Sequence, residues 1–163
     1  MGISFYEVDA NYVKYMNRFA PHLFFDSEQH GGRARKYIGI VLTVNEMKYF
    51  APLSSFKEKH RKMKERVDFI KVGNYAVINL NNMFPVPNGL YKYVDFNKEK
   101  DLRYRALLRS EYRIIKKKQN LIAKNAQVVY SHRIKNGGKT ALGKRCNDFL
   151  LLETECRNYR IMN

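Results

Sequence analysis

Ser54 and Ser55 end an apolar, β-branched run, and Lys57 follows two residues behind Ser55. Two hydroxyl donors and a cation at the end of a strand are residue types suited to holding a phosphate. Lys59, His60, Arg61 and Lys62 come directly after, inside a dense basic tract. Lys36 stands just before the preceding strand. In an antiparallel pair the start of one strand lies beside the end of the next, which would put Lys36 and Ser54 at one sheet edge. Tyr12 could bring a phenol there, although its helical spacing with Tyr15, Met16 and Phe19 equally suits a core aromatic. An ordinary loop after a strand, flanked by a lysine that guards the edge, fits the same residues.

Other familiar chemistry is missing from the sequence. There is no glycine-rich phosphate loop with its lysine, no HExxH, and no Cys/His zinc spacing. Acids are few and scattered, so a two-metal carboxylate cluster is not expected, and neither a metal nor a cofactor is called for. A basic chain poor in acids can still cut RNA, because the substrate carries its own nucleophile in the ribose 2′-hydroxyl. The protein must then help remove that proton, protonate the leaving 5′-oxygen and surround the phosphorane with positive charge. Four histidines, His22, His30, His60 and His132, could share the proton work. His60 is the best placed, although a solvated surface histidine fits as well. Arg33, Arg35, Lys59, His60, Arg61 and Lys62, with the cluster Lys116, Lys117 and Lys118, could follow an RNA backbone or could be solvated faces.

Composition narrows the partner. The 163 residues carry 31 Lys and Arg against 15 acids, a formal charge of +16, with 45% apolar residues. One domain spanning residues 1–163 with a real core is expected. The charge favours nucleic acid, whose counterions are released on binding, and RNA rather than DNA suits the chemistry above. The chain has no apolar run long enough to span a bilayer, roughly 18 residues. The N-terminal MGISFYEVDANYVKY lacks the pattern of a secretion signal. Gly2 is not followed by the Ser or Thr of a myristoylation motif, because Tyr6 stands there. Cys146 and Cys156 read as reduced packing residues, so a cytoplasmic protein is expected.

The elements that must position these groups can be outlined. A strand over 3–8 leads into a helix capped by Asp9 and ended by Pro21. Strands over 37–44 and 47–53 form a hairpin about Asn45-Glu46, and strands over 67–72 and 75–80 form another about Gly73-Asn74. Pro85, Pro87 and Gly89 break the chain before a last strand over 90–96. Residues 98–136 repeat apolar positions at helical spacing and predict two helices with a break near 117–120, ended by Gly137-Gly138. Asp148 caps a final helix over 149–159. Between residues 98 and 145 stand 15 Lys and Arg against three acids, so the excess charge lies mainly on these helices.

Lys36-Tyr37-Ile38-Gly39-Ile40-Val41-Leu42, followed by Tyr49-Phe50-Ala51-Pro52-Leu53-Ser54-Ser55-Phe56-Lys57, closely resembles a pattern of the type III toxin–antitoxin endoribonuclease toxins, the group that includes ToxN, AbiQ and CptN. Weaker matches follow in the right order: Phe5-Tyr6 with Asn11-Tyr12-Val13, then the stretch from Val77 to Pro85, then Cys146 to Glu153. The resemblance implies an α+β fold, a strongly bent antiparallel sheet similar to MazF/Kid toxins and surrounded by helices. It implies metal-independent cleavage to 2′,3′-cyclic phosphate and 5′-hydroxyl ends. It also implies processing of a repeat-containing RNA antitoxin, whose pseudoknots hold the toxin in a closed protein–RNA assembly until phage infection releases it onto cellular and phage RNA. Carried over by position, Tyr12, Lys36, Ser54, Ser55 and Lys57 become active-site residues. An aromatic of the long helices, Tyr112 or a neighbour, is expected nearby. The loop around Gln29-His30-Gly31 departs from the family pattern. On the residues alone, a non-catalytic RNA-binding protein explains the charge as well but not the serine–lysine edge, and a membrane-surface protein calls for a basic amphipathic helix with a bulky apolar face, which residues 98–118 match only in part.

Overall fold

The computed structural model describes residues 2–20 and 35–162. His22, His30, Arg33 and the Gln29-His30-Gly31 loop lie outside the described residues. β2 (Tyr37–Val44) and β3 (Met47–Ser55) form the expected hairpin. Its turn residues Asn45 and Glu46 both take positive φ, 51° and 67°, the mirror-image turn whose twist matches that of paired strands. β1 (Ser4–Val8) lies beside β2, and β7 (Tyr91–Tyr93) beside β1. On the other side β5 (Ala76–Asn79) pairs with the last residues of β3, and β4 (Phe69–Val72) pairs with β5. The result is a seven-stranded antiparallel sheet of order β4-β5-β3-β2-β1-β7, in which β6 (Phe84–Val86) pairs with the first half of β3. β3 therefore changes partner midway, from β6 to β5. The β2–β3 register also breaks between Gly39 and Leu42, an irregularity of the kind that bends a strand. Gly39 is required there, since a Cβ would run into the Phe50 ring.

β6 was not expected, because Pro85 reads as a chain break. It fits because β6 pairs on one side only, with Tyr49 opposite Pro85, and a proline is tolerated where its missing N–H has no partner to meet. The last strand is shorter than expected and is followed by a 3₁₀ turn over Phe96–Lys98.

α1 (Ala10–Met16) begins where Asp9 accepts the Tyr12 amide at 2.9 Å. α2 is short, Glu58–Lys62. In place of two helices the chain builds one, α3 (Leu102–Asn136), 35 residues long. The polar stretch at 116–120 does not interrupt it. That stretch contains no Gly or Pro, and the buried stripe Leu108, Ile115, Ile122, Ala126, Val129 runs straight through. Asp101 caps its start, and Gly137, at φ 58°, ends it. α4 (Ala141–Arg145), capped by Thr140, was not expected. α5 (Phe149–Met162) is started by Asp148, whose carboxylate accepts the Leu151 amide at 3.2 Å.

Alternation along β2 and β3 divides the core between the two faces of the sheet. Ile38, Tyr49, Ala51 and Leu53 face one cluster, which includes the α3 stripe. Tyr37 and Phe50 face another, which includes Tyr12 and Met16 of α1 and Leu152 of α5. Burial on both faces explains why these strands read as nearly continuous apolar runs. Cys146 and Cys156 are both buried and unpaired. Among the described residues no helix is long and apolar enough to cross a membrane.

Candidate active site

β3 carries Ser54 and Ser55 to its end, paired with Val77 and Ala76 of β5. The chain then turns at Phe56, whose amide donates to the Tyr75 carbonyl at 3.3 Å, and Lys57 opens α2. This corner forms one wall of a cleft of about 270 Å³. Arg35, Ser54, Ser55, Lys57, Lys59 and His60 line one side, and Arg66, Asp68, Asn79, Asn81, Asn82 and Arg145 the other. Among the described residues, five cations thus meet one carboxylate. Asp68 is only 1% exposed, and Arg145 grips it with two bonds, Nε to Oδ2 at 2.9 Å and Nη2 to Oδ1 at 3.2 Å. Arg66 lies 3.7 Å from the same carboxylate. With that acid neutralised in this way, the described lining of the cleft attracts anions.

Arg35 and Lys36 are adjacent, and the sheet sends them to opposite faces. Arg35 Nη1 donates to Ser54 Oγ at 3.3 Å, so the arginine and the serine meet in the cleft. Its Nε is buried and has no hydrogen-bond partner among the described residues. Lys36 instead follows Leu53 toward the α3 side. The Leu53 amide donates to the Lys36 carbonyl, and Lys36 Nζ lies 3.1 Å from Glu7 Oε2 and 5.5 Å from the Tyr104 ring centre. Lys36 is 9% exposed and does not line the cleft. The edge argument that joined Lys36 to Ser54 finds Arg35 in that place, because side chains alternate along a strand.

Tyr12 is also elsewhere. Its ring is fully buried, stacks with Phe84 and meets Tyr159 edge-on. Its hydroxyl donates to the Pro85 carbonyl at 2.5 Å. Burial, and after it the neighbouring Cys156 sulfur, pushes the phenol well above its ordinary range. Tyr112 packs between Phe5 and Phe96, with ring centres 6.3 and 5.2 Å away, under the other face of the sheet.

His60 lies inward rather than in solvent, at 7% exposure. Its ring sits 5.7 Å from the rings of both Phe56 and Phe69. Nδ1 accepts the Lys57 amide at 2.8 Å, and the His60 amide donates to the Lys57 carbonyl at 2.9 Å. Burial, then the charges of Lys59, Lys57 and Lys71, lower its pKa, so the ring is neutral at pH 7.

Of the remaining basic residues, Lys59, Arg61 and Lys62 are exposed on α2, and Arg61 also touches Glu58 at 3.4 Å. Lys116 and Lys117 are exposed on α3. Lys118 is occupied, donating to Glu65 Oε1 at 2.6 Å and to the Lys71 carbonyl at 2.8 Å. That contact draws the α2–β4 connection onto α3. The residues on the far side of the cleft were not picked out from the sequence. Asp68 gave one signal, a charge inside an apolar run. Arg145 gave none, since 77 residues separate it from its partner.

The site is a cationic cleft edged by two serines and a lysine, and the whole-chain comparisons give the family. The model of the type III toxin–antitoxin toxin family ToxN matches residues 4–157, and the chain belongs to that family. Among relatives, it is 27% identical over 168 residues to the endoribonuclease ToxN of Bacillus thuringiensis subsp. kurstaki, covering 96% of this chain and 84% of that protein. The solved structure of AbiQ, a lactococcal anti-phage endoribonuclease of a type III toxin–antitoxin system, is similar at TM-score 0.77 and 26% identity, covering 98% of this chain and 99% of AbiQ. A type III toxin selectively inhibited by a non-coding RNA pseudoknot has the same fold at TM-score 0.82 and 22% identity, covering 98% and 99% of the two chains.

Proposed function

We propose that this chain is an endoribonuclease toxin that cuts RNA without metal, leaving 2′,3′-cyclic phosphate and 5′-hydroxyl ends. The observation that carries the reading is the meeting of Ser54, Ser55, Arg35 and Lys57 at the end of β3, in a cleft whose one acid among the described residues is already paired. In the reaction the ribose 2′-oxygen attacks phosphorus as its proton leaves. The P–O5′ bond breaks, and the departing 5′-oxygen takes up a proton. Between these events the phosphorane gains negative charge on its non-bridging oxygens. Ser54 and Ser55 act as hydroxyl donors to those oxygens, and Lys57 and Arg35 supply fixed positive charge. Lys59, Arg61 and Lys62, with Lys116 and Lys117, guide the RNA backbone toward the cleft. Tyr12 and Lys36 act from outside the cleft, by holding α1 against β6 and β2 against Glu7.

The same reading extends to the cell. The toxin processes its own repeat RNA, is held inactive by the resulting pseudoknots in a closed assembly, and is released during phage infection to arrest growth. Both the pseudoknot-inhibited toxin and anti-phage AbiQ support this. The bent antiparallel sheet, similar to that of MazF/Kid toxins, is the scaffold on which the β3 edge is displayed. Incubating the protein with RNA in excess EDTA and analysing the new ends tests the chemistry. Cyclic-phosphate and 5′-hydroxyl ends are expected. Binding without cleavage would leave a non-catalytic RNA-binding protein.

A further inference from the structure

We propose that His60 is the positioning residue of this cleft: a neutral imidazole that accepts the Lys57 amide on Nδ1, fixes where Lys57 leaves the backbone, and offers Nε2–H as a donor to the bound phosphodiester. The inference rests on the RNA-cleaving reading above. An imidazole nitrogen that accepts an N–H bond carries no proton, so the ring's proton must sit on Nε2. Nε2 has no hydrogen-bond partner among the described residues, and the ring lines the cleft. The rings of Phe56 and Phe69 hold the imidazole plane from two elements.

The bond pattern explains why a histidine stands here. The third residue of a helix often reaches back to the amide of the capping residue, and Glu or Gln usually does so. His60 occupies that position relative to Lys57. A glutamate would satisfy the same amide but would place a negative charge beside the substrate phosphate. A neutral imidazole supplies the acceptor without that charge and adds a donor on its other side. Burial, and after it the charged groups around the ring, keep it neutral. Lys57 and Lys59 flank it in sequence, and Lys71 faces it from β4. Among the described residues Arg35, Arg66 and Arg145 line the same cleft, against Asp68. Protonation of Nδ1 would replace an accepted bond with two N–H groups facing each other, so Lys57 would be released as the pH falls. Cleavage should therefore lose rate at a pH below the ordinary histidine value of about 6.5.

Three variants and one spectrum test this. His60→Gln keeps a neutral acceptor for the Lys57 amide and should cut faster than His60→Phe, without the acid fall-off in rate. His60→Phe keeps a ring between Phe56 and Phe69 and removes the acceptor. It should bind RNA a few-fold more weakly, having lost the Nε2–H donor, and lose about 10- to 100-fold in kcat, the scale of a displaced catalytic group. His60→Glu should fold and cap α2 but lose RNA affinity. On the native protein, nitrogen-15 spectra at pH 7 should place the ring proton on Nε2. A proton on Nδ1, or His60→Phe cutting at the native rate with the acid fall-off intact, would overturn the assignment. If the native protein cuts no RNA, the RNA-cleaving reading fails, and the tautomer spectrum still decides the His60–Lys57 bond.

Discussion

The α2 tract and the lysine triplet of α3 have nearly the same composition and different surroundings. On α2 the cations stand around a cleft, and the one acid of its described lining, Asp68, is bound by Arg145 and Arg66. On α3 the stripe beneath the triplet is part of the core, and Lys118 spends its ammonium on Glu65 and a backbone carbonyl. A run of lysines therefore says little by itself about binding. What separates the two regions is whether carboxylates and carbonyls of the protein already occupy the charge. The α2 region is arranged to receive an anion from outside. The α3 region is mainly a brace, with Lys116 and Lys117 left exposed along its edge.

This contrast can be broken by substitution. The largest effect is expected in the cleft: Ser55→Ala should slow cleavage about 100- to 1,000-fold, the usual loss for one donor to a developing oxyanion, with melting temperature nearly unchanged. A loss of only a few-fold would make Ser55 structural. Next comes the buried stripe of α3. Glu111 is 4% exposed, and burial pushes its carboxyl up to about 7. A raised folded pKa means stability that is full below the unfolded value, about 4.3, and lost as pH rises through about 7. Glu111→Gln should accordingly be more stable than the native protein at pH 8, by on the order of 3 kcal/mol, and no more stable at pH 4. Equal melting temperatures at both pH values would refute it. Lys118→Ala should cost about 1 kcal/mol of stability and leave cleavage intact; slower cleavage at unchanged stability would move Lys118 into the binding surface. The smallest effect belongs to Lys117→Ala, which should lower the slope of log affinity against log salt by about 0.7 for one lost phosphate contact. An unchanged slope would remove α3 from the RNA path.

The parts of this structure that depend on local rules were legible. The Asn45-Glu46 hairpin, the Asp9 and Asp148 caps and the Gly137 stop each follow from residues within a few positions. The Ser54–Ser55–Lys57 edge was visible for the same reason, because one strand end and one cap carry all three. What failed depended on tertiary context. Pro85 joins a strand because only one side of β6 is paired. α3 runs unbroken because its buried stripe bridges a polar stretch that breaks no helical rule. Arg35 takes the place expected of Lys36 because alternation, rather than distance from the strand end, decides which side chain meets Ser54. The Asp68–Arg145 wall needed the fold itself, since β4 and α4 are brought together only by packing.

On the proposed reading, the β3 end and Lys57 cut RNA while the rest of the basic surface only holds it. The most direct measurement is the single-turnover cleavage rate of Lys57→Ala in EDTA, with RNA affinity and melting temperature taken on the same preparation. Lys57 is exposed and makes no ion pair among the described residues, so the fold should be unaffected. Cleavage should fall by at least about 100-fold while the RNA still binds. Native-rate cleavage by a well-folded Lys57→Ala protein would contradict it.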